Sequence, residues 1–174
     1  SRYVAWALTD FSDKEFMEHV QAKKARAFVF QFKMRSVNQA FLKGIISNMP
    51  YLRILAVGIS QFEELPRSIR SLKHLRFLDL SNNAHIKSLP FTICELLNLE
   101  FLLLDGCKQL EELPLEIYKL INLRFLSLTT CQKSLANTMF NRLPSLRHLC
   151  FISCNRLVSL WANNDVGCLT SLGS

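Results

Sequence analysis

The side chains able to hold a metal ion or to serve as nucleophile and base are the cysteines Cys94, Cys107, Cys131, Cys150, Cys154 and Cys168 and the histidines His19, His74, His85 and His148. Zinc requires several such ligands converging on one point. His148, Cys150 and Cys154 come nearest to that, yet His148 belongs on the outward face of a strand whereas Cys154 falls where the chain turns inward, so the three point apart. A Ser or Cys nucleophile needs a base within hydrogen-bond reach, and none of the four histidines stands beside a convincing partner. The glycines Gly44, Gly58, Gly106, Gly167 and Gly173 lack the spacing, and the following Lys-Ser/Thr, of a phosphate-binding loop. No catalytic residue, metal or cofactor is expected. The formal net charge of +7 favours acidic partners. Lys23, Lys24 and Arg26 form a short basic run without interleaved aromatics, which reads as solvated surface rather than a nucleic-acid site.

What positions the remaining residues is a periodicity. Leu52, Leu75, Leu99, Leu123, Leu146 and Leu169 follow one another at intervals of 23, 24, 24, 23 and 23 residues. Counting each leucine as position one, position four is Leu55, Leu78, Leu102, Leu126 and Leu149, and position six is Val57, Leu80, Leu104, Leu128 and Phe151. Apolar residues at every second place mark a short strand. Position nine is Ser60, Asn83, Cys107, Cys131 and Cys154, small groups that can hydrogen-bond loop backbone where the chain turns inward and unpaired amides would be costly. Leu65-Pro66, Leu89-Pro90 and Leu113-Pro114 then end the ladder. Ile69, Ile93 and Ile117, with Leu72, Leu96 and Leu120, pack inward behind it.

This is the pattern of a leucine-rich repeat. The expected fold is α/β: a right-handed solenoid with a curved parallel sheet on its concave face and short helical or irregular segments on its convex face. One coil cannot bury its leucines alone, so stacking supplies the core. Residues 1–24 are expected to be a linker or capping segment, with a short helix through Phe16, Met17 and Val20 started by the capping-box spacing of Ser12 and Glu15. Residues 25–174 form the repeat domain: an irregular first coil over 25–48, repeats starting near 52, 75, 99, 123 and 146, and a truncated one at 169. Because the chain begins without Met and its last coil is cut short, a fragment of something longer is expected. No apolar run approaches the roughly 18 residues of a membrane span. With no secretory leader and no Asn-x-Ser/Thr acceptor, a cytoplasmic location is expected, the nucleus remaining open. Cys131 and Cys154 fall one coil apart, near bonding distance, but reduced thiols are expected in that compartment.

The chemistry left to such a chain is recognition. Position two gives Arg53, Arg76, Glu100, Arg124 and Arg147, and position three gives Ile54, Phe77, Phe101, Phe125 and His148. Arginines and exposed aromatics are favoured interface anchors. The candidate partner-binding residues on the concave face are therefore Arg53, Arg76, Phe77, Phe101, Arg124, Phe125, Arg147 and His148, with a protein as partner. The competing view is that Leu-Arg-aromatic-Leu is repeat consensus, each ring stacking on the next.

The segments Leu75-Arg76-Phe77-Leu78-Asp79-Leu80-Ser81 and Leu123-Arg124-Phe125-Leu126-Ser127-Leu128, the recurring Leu-Pro, and Ser71-Leu72-Lys73-His74-Leu75 joining two coils resemble the leucine-rich repeat region of plant intracellular disease-resistance receptors, the NLR class of the coiled-coil type. The resemblance covers roughly residues 25–172. It implies a module that restrains the receptor's NB-ARC nucleotide-binding switch and helps to detect a pathogen effector or a guarded host protein. It places Arg53 and Arg76 toward the intramolecular contact, and Arg124, Phe125, Arg147 and His148 toward recognition. The alternative is a leucine-rich repeat substrate adaptor or scaffold unrelated to immunity. A cell-surface receptor ectodomain would carry a Gly-x-Ile-Pro turn, where this chain has Leu-Pro.

Overall fold

The computed structural model describes residues 3–6, 24–30, 37–60, 62–129, 142–152 and 166–170. Its strands are β1 (Tyr3–Trp6), β2 (Ala27–Phe30), β3 (Ile54–Val57), β4 (Phe77–Asp79), β5 (Phe101–Leu104), β6 (Phe125–Leu128), β7 (His148–Ile152) and β8 (Val166–Thr170), laid side by side in chain order in one sheet. β1 to β7 are parallel neighbours. Successive parallel strands oblige the chain to return across the back of the sheet each time, and that return makes the solenoid. In the first described return it is α1 (Gln39–Asn48); later it is a 3-10 turn at Arg67–Ser71, Phe91–Glu95 and Ile117–Lys119.

Coil length decides which return is used. Ala27 pairs with Ile54 across 27 residues, whereas Ile54 pairs with Phe77 across 23 and Phe77 with Phe101 across 24. The longer coil has room for a ten-residue helix, whose Asn38 cap accepts a hydrogen bond from the Phe41 amide at 2.8 Å and whose Phe41, Leu42, Ile45 and Ile46 are buried. In the shorter coils Pro66 and Pro90 stand at the entry of the turn, where a missing N–H costs nothing. The Ile69, Ile93 and Ile117 amides then donate to the Pro66, Pro90 and Pro114 carbonyls at 3.0 Å.

The apolar columns fill the interior. Leu55, Leu78, Leu102 and Leu126, the position-six residues Val57, Leu80, Leu104 and Leu128, and the return residues Ile69, Ile93, Ile117, Leu72, Leu96 and Leu120 are fully buried, each stabilising the coil by about 2 kcal/mol. At position nine the Asn83 amide group donates to the carbonyls of Val57 at 2.9 Å and Leu80 at 2.7 Å and accepts from the Ser60 amide at 2.8 Å. Cys107 takes the same slot one coil later, its thiol donating to the Leu80 carbonyl at 3.3 Å. The ninth column therefore ties each coil to its predecessor through the backbone groups of the inward turn.

Just before that column the chain must turn through the left-handed region. Ile59, Asn82 and Gly106, all at position eight, have φ of 55°, 62° and 74°. Gly106 adopts this freely and Asn82 at small cost, but a β-branched residue is strained there.

Three features depart from expectation. Tyr3–Trp6, within the segment assigned to a linker or cap, adds a parallel strand to β2; the helix expected through Phe16, Met17 and Val20 lies outside the described residues, as do Cys131 and Cys154. Leu169 does not open another parallel coil. It lies in β8, which pairs antiparallel with β7, Leu149 opposite Leu169, so the last described strand reverses the direction of the sheet. Cys150 is disulfide-bonded rather than reduced, while Cys94 and Cys107 are free and buried.

Two substitutions test these assignments by urea denaturation. Asn83→Ala strands the Ser60 amide and leaves the Val57 and Leu80 carbonyls one donor poorer, and should cost about 2 kcal/mol, with Asn83→Cys milder because Cys107 already fills the equivalent slot. Ile59→Gly should stabilise the chain by about 0.5 kcal/mol, the relief of left-handed strain exceeding the added flexibility of the unfolded glycine.

Candidate functional site

The exposed strand face is built by an unusual backbone arrangement. In each coil two successive amides, at positions two and three, donate to one carbonyl of the preceding coil. Arg76 and Phe77 both donate to Arg53 O, Glu100 and Phe101 to Arg76 O, Arg124 and Phe125 to Glu100 O, and Arg147 and His148 to Arg124 O, at 2.8–3.0 Å. Two neighbouring N–H groups aimed the same way suspend the alternation of a strand. Positions two and three therefore both lie at the surface, and the chain alternates only from position four onward.

Position three becomes a ladder of rings. The centroids of Phe77 and Phe101 are 5.9 Å apart, those of Phe101 and Phe125 6.1 Å, and those of Phe125 and His148 5.9 Å, within the range of favourable aromatic pairs. Ile54, in register with Phe77, continues the strip. Ile54 and Phe101 are each 36% exposed, and Phe77, Phe125 and His148 are half-buried. Stacking holds the rings in fixed positions, so the strip is presented with little side-chain entropy left to lose on binding.

Position two becomes a charge column with a sign change at its centre. Glu100 receives Arg76 at 3.3 Å on one carboxylate oxygen and lies 3.9 Å from Arg124 on the other. Its side chain keeps only 22% exposure against 58% and 60% for the two arginines. Arg53 and Arg147, the residues flanking this trio, have no acidic partner among the described residues.

All eight residues expected to bind a partner thus fall on this face, and two further ones join them. Arg26, assigned above to a solvated basic run, lies in the same column, since its carbonyl accepts from the Arg53 and Ile54 amides at 2.7 and 3.1 Å; its guanidinium sits 5.5 Å from the Tyr51 ring centre. Ala25-Arg26-x-Phe28-x-Phe30 fits the repeat pattern with Ala for Leu, but the 27-residue first coil hides it from a search at 23 or 24. Glu100 sits in the column as its single acid, and its role depends on the two arginines reaching it, which spacing alone does not reveal.

Two of the three residues weighed above as zinc ligands lie among the described residues. His148 stacks on Phe125, Cys150 is held in a disulfide, and Cys154 lies outside the described residues. Away from the sheet, α1 and the Arg67–Ser71 turn flank an open polar cleft of about 700 Å³ lined in part by Lys43, Ser47, Glu64, Arg67 and Ser88. A carboxylate mixed with two cations and hydroxyls there matches no catalytic pattern.

The family follows from this architecture. Residues 26–174 match the model of the leucine-rich repeat region, and the chain belongs to that family. Such regions are scaffolds for protein–protein interaction, typically without catalytic activity. No curated protein matches. Among solved structures the chain is similar to a leucine-rich repeat protein of Leptospira interrogans, at 28% identity over 77% of this chain with a TM-score of 0.61. It spans 32% of that protein's length.

Burial pushes the Cys94 thiol up to about 11 and the Cys107 thiol up to about 12 from 9.0. Both should resist iodoacetamide at pH 8 in the folded chain and react in urea, as mass spectrometry would show. Because both folded values lie above the unfolded one, the two thiols favour neither state below about pH 9. Above it the unfolded chain ionises first, so the urea midpoint should fall as pH rises from 9 through 11.

Proposed function

We propose that this chain is the interaction and autoregulatory module of a plant intracellular immune receptor, holding the NB-ARC nucleotide-binding switch off and contributing to recognition of a pathogen effector or guarded host protein in the cytoplasm. The observation carrying the reading is the ordered concave face, five coils deep, in which a ring ladder runs beside an arginine-rich column. The Leu-Arg-Phe-Leu segments and the Leu-Pro turns support the plant receptor class. Arg53 and Arg76 are assigned to contact with the nucleotide-binding module, and Arg124, Phe125, Arg147 and His148 to recognition. The Cys150 disulfide is the one feature that sits awkwardly in a reducing compartment. The register of β1 to β7, carried by backbone hydrogen bonds, does not require it.

The test is a pull-down of the chain against separately expressed nucleotide-binding modules of plant receptors, wild type beside Arg53→Glu/Arg76→Glu. Wild-type capture reduced at least tenfold in the double variant, with both proteins folded by circular dichroism, is the expected result. A folded wild type that captures no such module at any salt concentration would remove the autoregulatory role.

A further inference from the structure

The charge column carries information about what the face can accept. A uniformly basic strip would take any polyanion, but this one reads positive, positive, negative, positive, positive from Arg53 through Glu100 to Arg147. Its centre is closed to carboxylates, because Glu100 stands between Arg76 at 3.3 Å and Arg124 at 3.9 Å and is itself mostly buried. A partner acid placed there would meet a like charge of low exposure and two guanidinium groups already engaged, a juxtaposition that costs rather than stabilises.

The ends differ. Arg53 and Arg147 have no acidic partner among the described residues. Four strand steps of about 4.8 Å put them roughly 19 Å apart. Beside the closed centre stands Phe101, the most exposed of the three phenylalanines in the ladder, with Phe77 and Phe125 on either side. Between Arg53 and Arg147 the face therefore offers a cation on either side of an apolar middle, with Arg26 continuing the column beyond Arg53.

We propose that the concave face binds an extended protein segment that is acidic at both ends and apolar in the middle, running across the strands, and that Glu100 selects it by rejecting acids at the centre. Carboxylates near the two ends engage Arg53 and Arg147, and a central aromatic or aliphatic side chain packs on Phe101. An extended chain covers roughly 19 Å in about six residues, which fixes the separation of the acidic ends. The inference rests on the concave-face reading above but names the chemistry of the partner, which that reading leaves open.

Two fluorescein-labelled peptides of identical composition and charge separate the possibilities by anisotropy. One is Asp-Asp-Ser-Phe-Ser-Asp-Asp, with acids at the ends; the other is Phe-Ser-Asp-Asp-Asp-Asp-Ser, with acids in the middle. The full chain is expected to bind the first at least fivefold more tightly. Arg53→Ser/Arg147→Ser should weaken it about tenfold, and Glu100→Gln should bring the second to within twofold of the first. Equal binding of the two by wild type, at any salt concentration, would mean simple polyanion attraction and would overturn the proposal, as would binding of neither. A preference that survives Glu100→Gln would overturn the selector role. No nucleotide-binding module takes part, so failure of the peptides leaves the pull-down result standing, and failure of the pull-down leaves the peptide result standing.

Discussion

Each coil of this chain turns inward after its strand, and the turn would bury backbone amides and carbonyls with nothing to bind. The ninth column resolves this. Asn83 satisfies two carbonyls and one amide at once, across two coils, and Cys107 reaches back from the next coil to one of those same carbonyls, that of Leu80. Because an unpaired buried polar group costs of order 1–3 kcal/mol, coils can stack only where these groups meet their neighbours. That requirement fixes the offset of one coil on the next. The leucine columns then exploit the offset: they can pack only against equivalents in adjacent coils, and their burial supplies the gross stabilisation while the ninth column supplies the register.

The exposed strand face is a by-product of the same register. Once each coil sits at a fixed offset, the paired donation from positions two and three to a single carbonyl recurs in every coil, and residues one coil apart come side by side. Rings that are 23 or 24 residues apart in sequence stand about 6 Å apart in space. Glu100 meets one arginine from the coil before it and one from the coil after. Exposed ion pairs of this kind contribute little to stability. Their consequence is spatial, since they fix where positive charge remains available, at the ends of the column and not at its centre.

Much of this was legible in the residues. Spacing alone located the strand and return leucines and the role of the ninth position, because burial at fixed period is written directly in residue type. Stacking of position-three rings also follows from spacing, as the competing consensus view recognised; that stacking and an exposed face coexist shows the two views to be compatible. The misses lie where the period changes or where spacing carries no information. Arg26 escaped because its coil is longer, the Tyr3–Trp6 strand because its coil has no matching leucine, and the reversed strand at Leu169 because a leucine in register says nothing about chain direction. The Cys150 disulfide escaped because the expected compartment outweighed the proximity of cysteines in neighbouring strands.

The central claim is that partners meet the strand face rather than the returns, although the returns expose apolar residues too, Leu115 at 83% among them. The most direct measurement is photo-cross-linking to a nucleotide-binding module of a plant immune receptor, with a benzophenone amino acid replacing either Phe101 or Leu115. The account predicts cross-links from position 101 and none from position 115. Cross-links from position 115 alone, or from neither position, would contradict it.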